Sequence, residues 1–324
     1  MKMNKMLKRS LGLILSFAMI FSVFAFTAPQ KVQAATGDPY GICYSDYVLC
    51  DDGTMLVADP DHNVIWKCNK KGKYTVYAGV YGKSGKSDGK LKKATFNSPW
   101  GIAKYGDGYM VTDSGNGTLR YLDKKSVKTL SLKGYKKFGR PTGITEDGQG
   151  NVYVSDTENA CVVKVDAKGK ADVFAGTKGK AGCTDGKALK KSKLTEPTGL
   201  AFDGSTLYIA DSGNHRIVFQ KKDKLVTLAG AKKGIEDDAV GKPDKARFSN
   251  PQGLCVYDGK LYIADTGNGS VKVYDGKNVK KLVEAFSQEY GFAPASPRGL
   301  AVKDGNLLVG DVFAYLTLNV EIGK

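Results

Sequence analysis

A short motif recurs along this chain and constrains its fold more than any other feature of the sequence. Each copy begins with Pro-x-Gly followed by Ile or Leu, continues through a turn rich in Asp and Gly, and ends in an apolar stretch closed by Asp. From Pro to Asp the distance is 14 residues in four copies and 15 in the other. Such regular spacing predicts a fold built from repeated units. The five copies run from Pro99 to Asp113, Pro141 to Asp156, Pro197 to Asp211, Pro251 to Asp265 and Pro297 to Asp311.

A less regular copy precedes these five. It begins at Pro39-Tyr40-Gly41-Ile42 and reaches Asp59 after an insertion of six residues. The sequence therefore predicts six units of roughly 48 residues each.

Each unit has the pattern of four short strands. The first strand follows Pro-x-Gly, and the second ends at the Asp. A tight turn then leads to the third strand, as in Asp211-Ser212-Gly213-Asn214. Gly and Asn suit a turn that needs positive φ, and the Asp carboxylate is expected to cap the backbone N–H groups of the turn. Apolar residues alternate between these turns, which indicates half-buried strands rather than helices.

Four-stranded sheets repeated in this way are typical of a β-propeller, in which ring packing protects the strand edges. The segments that carry a family resemblance are Pro-x-Gly-Ile, Tyr208–Ile217 and the linker Phe248–Gly253. They resemble NHL repeats, in the form of secreted bacterial-type NHL-repeat proteins. The resemblance covers nearly the whole chain after residue 34. It implies an all-β, six-bladed propeller with four antiparallel strands per blade.

The expected organisation is a signal peptide over 1–34 and the propeller over 35–324. The last blade lacks an obvious fourth strand, so the sequence leaves open how the ring closes. The expected blades are 39–79, 99–132, 141–176, 197–230, 251–285 and 297–324.

The first 34 residues have the pattern of a secretory leader. Basic residues precede the apolar stretch Leu11–Ala28, and Val32-Gln33-Ala34 offers the small residues of a cleavage site after Ala34. An uncleaved membrane anchor is the alternative. We therefore expect a secreted, extracellular, monomeric protein with no transmembrane segment after the leader is removed.

The six cysteines follow no CxxC or other regular framework. A local disulfide within the first unit and buried, inert thiols are both consistent with their positions. The residues are Cys43, Cys50, Cys68, Cys161, Cys183 and Cys255.

Residues shared by all copies are expected to hold the blades together, and residues that differ are candidates for function. By this rule the six repeated aspartates are structural, although a ring of carboxylates that binds Ca²⁺ is the alternative. The aspartates are Asp59, Asp113, Asp156, Asp211, Asp265 and Asp311.

The variable residue of Pro-x-Gly is expected near the mouth of the central channel. Two aromatic, one cationic and three neutral polar side chains there would suit a carbohydrate or peptide ligand, although packing and turn formation explain them equally. The residues are Tyr40, Trp100, Thr142, Thr198, Gln252 and Arg298.

Two long linkers are rich in lysine and are expected to project from the face that carries the Asn-containing turns. The chain has 49 Lys and Arg against 33 Asp and Glu, so such a face would attract anionic partners. The alternative is that these lysines only keep the protein soluble. The expected basic loop face contains Lys90, Lys92, Lys93, Lys190, Lys191 and Lys193.

Catalysis is the competing interpretation. At the level of fold, the chain resembles propeller lyases that hold a metal with several His and calcium-dependent lactonases. The only histidines, His62 and His215, fall in corresponding turns of the first and fourth units, across the ring from each other. The sequence therefore predicts no metal site, no cofactor and no catalytic residues.

The function that these features favour is a secreted binding scaffold. Its basic loop face would recognise an extracellular protein, cell-wall polymer or acidic glycan, and the leader argues against nucleic acid as partner. A metal-dependent lyase or lactonase-like hydrolase with its site in the channel is the alternative.

Overall fold

The computed structural model describes residues 32–34, 41–186, 189–231, 234–283, 296–312 and 316–322. These residues belong to one compact unit, Val32–Lys324. The regular structure is almost entirely β-strand and forms six sheets. Apart from short 3-10 turns, the described residues contain no helix. No helical segment among them is therefore long and apolar enough to cross a bilayer. The chain is thus a six-bladed, all-β propeller, as the repeat count predicts.

The strands of the first three blades follow the repeat order from the innermost strand outward. A three-residue strand near the N-terminus, β1 (Val32–Ala34), precedes them. Blade one contains β2 (Asp46–Leu49), β3 (Met55–Asp59), β4 (Val64–Cys68) and β5 (Tyr74–Ala78). Blade two contains β7 (Pro99–Tyr105), β8 (Gly108–Asp113), β9 (Thr118–Leu122) and β10 (Ser126–Thr129), with β6 (Gly89–Lys90) added at its edge. Blade three contains β12 (Pro141–Glu146), β13 (Val152–Asp156), β14 (Cys161–Val165) and β15 (Lys170–Gly176), with β11 (Lys133–Gly134) at its edge.

The other three blades repeat this arrangement. Short 3-10 turns lie at Ser114–Asn116 in blade two, Leu189–Lys191 in the linker before blade four, Ser212–Asn214 in blade four and Thr266–Asn268 in blade five. Blade four contains β16 (Pro197–Phe202), β17 (Leu207–Asp211), β18 (Arg216–Lys221) and β19 (Lys224–Gly230). Blade five contains β20 (Gly253–Tyr257), β21 (Lys260–Asp265), β22 (Ser270–Tyr274) and β23 (Val279–Val283). Blade six contains β24 (Pro297–Lys303), β25 (Asn306–Asp311) and β26 (Leu316–Glu321).

The N-terminal strand supplies the fourth strand of blade six. β1 pairs antiparallel with β26, with Val32 opposite Val320 and Ala34 opposite Leu318. This strand answers the question of closure that the repeat pattern left open. It lies immediately before the expected cleavage site after Ala34, so cleavage there would remove it from the ring.

The first repeat has a different register from the one that its Pro-x-Gly motif suggests. The backbone N–H of Ser45 donates to the Ala58 carbonyl, as that of Gln252 donates to Ala264 in blade five. Asp46 pairs with Ala58, and Gly253 pairs with Ala264. Ser45 and Asp46 therefore occupy the x and Gly positions of blade one, and Gly41 lies outside its inner strand.

The glycine of Pro-x-Gly is required because neighbouring blades approach each other closely at their inner ends. A Cβ on Gly143 would lie 2.1 Å from the Thr198 carbonyl oxygen, and one on Gly253 would lie 1.7 Å from that of Arg298. Gly101 and Gly199 face the next blade in the same way, at 2.3 and 1.9 Å. No side chain fits at these positions without moving a backbone.

Apolar side chains fill the space between the blades. The cluster between blades one and two contains Leu56 and Ile65 from one sheet, Ile102 and Val111 from the other, and Phe96 from the linker. Each described linker of this kind contributes one large buried residue three positions before the Pro, namely Phe96, Phe138, Leu194 and Phe248. The linkers are therefore part of the core.

Gly253→Ala tests the close approach between blades. We expect a loss of about 3 kcal/mol of unfolding free energy or failure to fold, because the new methyl overlaps a backbone oxygen. The control is Gly276→Asn in an exposed hairpin turn, where a Cβ meets nothing within 4 Å and Asn tolerates positive φ. Chemical denaturation that finds the two variants equally stable would contradict the packing argument.

A truncation series tests the closing strand. A chain that begins at Val32 should be about 2 kcal/mol more stable than one that begins at Ala35, because the latter loses the hydrogen bonds between β1 and β26. A chain that begins at Pro29 serves as the control and should match the Val32 chain. Equal melting temperatures for all three would show that β1 does not close the ring.

Candidate functional site

The six repeated aspartates are buried and their carboxylates bind within their own blades. Asp113, Asp211 and Asp265 each accept the backbone N–H of a linker residue, from Asn97, Thr195 and Ser249 at 2.7–2.8 Å. They do not cap the following 3-10 turn, which corrects the expectation from sequence. Asp59 is the exception, because it accepts N–H groups of its own turn. Asp113, Asp211 and Asp265 thus hold the linkers against their blades.

In three blades a buried cation completes the aspartate site. Arg120 lies 2.6 Å from Asp113, Arg216 lies 2.7 Å from Asp211, and Lys272 lies 2.6 Å from Asp265. Each cation also reaches an acid in the preceding linker, namely Asp88, Asp185 and Asp238 respectively. Each cation therefore bridges two carboxylates, and the long linkers are fixed to the blades that follow them.

The lysine-rich linkers do not project from the face with the Asn-containing turns. Because successive strands are antiparallel, those turns lie at one end of a blade, and the turns between third and fourth strands lie at the other. Lys90 pairs with Ser126 at the start of β10, and the N–H of Leu189 donates to Asp223 in the β18–β19 turn. Both linkers therefore run along the outer edge of a blade to its opposite end.

We name the resulting surface the lysine rim. It consists of one cluster on the outer edge of blade two and one between the outer edges of blades three and four, and all six side chains are exposed. Within the described residues, Lys190 forms an ion pair with Asp172 at 2.7 Å, whereas the other five have no ion pair. The structure thus places the predicted lysines in two clusters, Lys90, Lys92 and Lys93 on one linker and Lys190, Lys191 and Lys193 on the other.

The inner ends of the six blades surround a space of about 50 Å³. Trp100, Thr198, Gln252 and Arg298 line it, as their shared motif position predicts. Tyr40 lies outside the described residues, and Ser45 holds the equivalent position in blade one.

Two of the predicted channel residues serve the contacts between blades. The hydroxyl of Thr142 bonds to that of Thr157, which donates to the Pro197 carbonyl of the next blade. The hydroxyl of Thr198 bonds in the same way to Ser212, which donates to Pro251. Their hydrogen-bonding capacity is therefore used structurally, and Trp100, Gln252 and Arg298 remain as candidates for ligand contact.

Asp46 is a channel residue that the repeat pattern missed. Its carboxylate accepts the backbone N–H of Tyr47 at 2.9 Å and that of Ile102, in the next blade, at 3.0 Å. Burial raises the pKa of this carboxyl to about 7, although both hydrogen bonds favour the charged form. The signal available in the sequence was the 15-residue distance from Tyr44 to Asp59, which matches that of the third copy.

The histidines and cysteines have structural surroundings. His62 bonds to Asp59 and stacks on Tyr81, and the Nδ1 atom of His215 accepts the N–H of Asn250. All six cysteines are free thiols. Among the described residues, no group of three or more His, Cys, Asp or Glu is arranged to hold a metal ion.

Asp46→Asn tests the raised pKa. The folded protein binds the proton more tightly than the unfolded chain, whose carboxyl titrates near 3.8, so this group lowers stability as the pH rises from about 4 to about 7. Between pH 5 and 8 the wild type should therefore lose about 2 kcal/mol relative to the variant. Asp258→Asn, in an exposed turn, keeps Asp46 and is the control, so in urea unfolding its pH profile should be parallel to that of the wild type. Parallel pH profiles for wild type and D46N would contradict the assignment.

Comparison with known proteins supports the repeat family. The model of the NHL repeat matches residues 138–165 and 248–274. Protein SUPPRESSOR OF QUENCHING 1, chloroplastic, of Arabidopsis thaliana is 27% identical over 313 residues, which cover 84% of this chain and 28% of that protein. NHL repeat-containing protein 2 of Bos taurus is 31% identical over 195 residues, which cover 53% of this chain and 24% of that protein. The chain thus spans about a quarter of the length of these relatives.

A solved structure shows the same fold at low sequence identity. Virginiamycin B lyase from Staphylococcus aureus superposes with a TM-score of 0.59 and 12% identity, over 90% of this chain and 99% of that one. Likeness at this identity shows the fold alone. Together with the six sheets and the repeated motif, the comparisons show that this chain is a six-bladed β-propeller that contains NHL repeats.

Proposed function

We propose that the chain is an extracellular binding scaffold whose lysine rim recognises an anionic polymer. The observation that carries this proposal is that five of its six exposed lysines have no ion pair within the described residues. The secretory pattern of the leader supports an extracellular location, where cell-wall polymers and acidic glycans are the available polyanions.

The rim is suited to binding because its backbone is held in place. Asp88 bonds to Arg120 and to the backbone and hydroxyl of Thr129, and Asp185 makes the corresponding bonds to Arg216 and Thr227. A linker fixed in this way loses little further conformational entropy when a ligand binds. The lysine side chains extend from a rigid support.

The distribution of charge also favours an anionic partner. Without the expected leader, whose 34 residues include five of the 49 Lys and Arg and no acid, the chain keeps 44 Lys and Arg against 33 Asp and Glu, a formal net charge of +11. Asp88 and Asp185 of the two lysine-rich linkers are already paired with buried arginines. The five rim lysines without an ion pair in the described residues therefore contribute positive charge, which attracts polyanions and speeds their association. Exposed charges of this kind are screened by salt.

Charge reversal of each cluster tests the proposal. The triple variants Lys90→Glu/Lys92→Glu/Lys93→Glu and Lys190→Glu/Lys191→Glu/Lys193→Glu should each weaken binding to heparin and to lipoteichoic acid by about tenfold or more, because attraction becomes repulsion. Wild-type affinity should fall as NaCl rises, and calorimetric titration at several salt concentrations gives both quantities.

The matched control reverses three other exposed lysines, Lys70, Lys71 and Lys73, in the β4–β5 turn of blade one. This variant has the same net charge as either rim variant. If the control loses as much affinity as the rim variants, the attraction depends on net charge and the rim is not a site. The absence of any salt-dependent binding would overturn the proposal.

A further inference from the structure

One arginine of the propeller lacks the acidic partners that the other buried arginines have. Arg120 and Arg216 are each paired with two carboxylates. The guanidinium of Arg298 forms no ion pair and no hydrogen bond within the described part of the chain, and its Nε is buried without a partner. Burial lowers the pKa of Arg298 from its usual value, against the opposing effect of Asp61 and Asp311 at longer range. An arginine nevertheless stays protonated at neutral pH.

The surroundings of Arg298 suit a ligand. Its guanidinium carbon lies 4.8 Å from the centre of the Trp100 ring, which holds the guanidinium plane in position. Both residues line the space of about 50 Å³ at the inner ends of the blades, together with Gln252. One water needs roughly 10–15 Å³ of such space, so a group of about three heavy atoms fits.

An unpaired cation that is partly removed from water destabilises a fold. Removing such a charge from water costs free energy that only a counter-charge or hydrogen bonds recover. The other buried cations of this chain obtain their counter-charges from Asp at fixed motif positions, whereas Arg298 comes from the variable position. A ligand anion supplies the missing counter-charge.

We propose that Arg298 and Trp100 form a binding site in the channel for the carboxylate group of a small organic acid. The guanidinium presents parallel N–H donors that match the two oxygens of a carboxylate. The space at the centre of the ring accepts the carboxylate itself, and the rest of the ligand extends into the channel. This site goes beyond the proposed function, because it involves none of the rim lysines.

Asp46 lines the same space and does not prevent an anion from binding. Both of its carboxyl oxygens already accept backbone N–H groups. Since its pKa lies near 7, the group is mainly neutral in mildly acidic solution. A binding assay at pH 5.5 therefore keeps the charge of Asp46 small.

Fluorescence of Trp100 reports directly on the site. The chain has two tryptophans, so a Trp66→Phe background isolates the signal, and calorimetry on the unmodified chain checks that background. We expect galacturonate and N-acetylalanine, two sources of a carboxylate, to change the fluorescence saturably. Their uncharged counterparts galactose and N-acetylalanine amide should have no effect. Saturation by both acids assigns the carboxylate alone, and saturation by one identifies the ligand class.

Two substitutions at Arg298 separate charge from geometry. Arg298→Met should weaken carboxylate binding by at least about tenfold. Arg298→Lys should weaken it less, because Lys keeps the positive charge but lacks the two parallel N–H donors of the guanidinium. Arg140→Met removes a nearby charge from an exposed side chain and serves as the control with near-normal binding. Equal binding of acids and neutral counterparts, or no binding of either acid, would overturn the site.

Thermal stability without ligand gives an independent test. Arg298→Met should raise the melting temperature by about 2 °C or more, because it removes an unpaired charge. Arg216→Met, which breaks a buried ion pair, should lower it. If Arg298→Met lowers the melting temperature as Arg216→Met does, Arg298 has a structural role and the inference fails.

Discussion

The close contact between neighbouring blades at their inner ends is the constraint on which this propeller depends. Each main β-ladder lies within one blade, so the ring is held together by packing and by a few specific bonds between blades. Because the glycine of Pro-x-Gly has no side chain, its backbone can lie directly against a backbone carbonyl of the next blade. The Ser or Thr after the repeated Asp then donates to the Pro carbonyl of the following blade, from Thr157 to Pro197 and from Thr266 to Pro297. The motif therefore contains the residues that form the contact between neighbouring blades.

The buried aspartates connect this interface to the outer surface. Asp113 and Asp211 hold the linker backbone and a buried arginine, and each arginine binds a linker acid. The lysines on these linkers are consequently displayed from a fixed backbone, whereas the linker acids Asp88 and Asp185 bind buried arginines. The same residues that stabilise the ring thus leave its rim positively charged.

Two departures from the repeat lie in the channel. Asp46 replaces a glycine, and its carboxylate bonds to the N–H of Ile102 in the next blade. Arg298 replaces the neutral polar residues of neighbouring copies, and its Nε has no partner among the residues that the structure describes. Both residues border the space in which we propose that a carboxylate binds.

The sequence by itself determined the blade number, the strands and the structural aspartates, because alternating polarity and turn chemistry are local properties. Tertiary structure decided the rest. Ser45 rather than Tyr40 holds the channel position of blade one, since strand pairing with β3 sets the register. Val32–Ala34 completes blade six, and the lysine linkers fold back along the blade edges. These features, like the lack of a partner for the Arg298 guanidinium among the described residues, depend on contacts between residues far apart in the chain, so a local sequence pattern does not predict them.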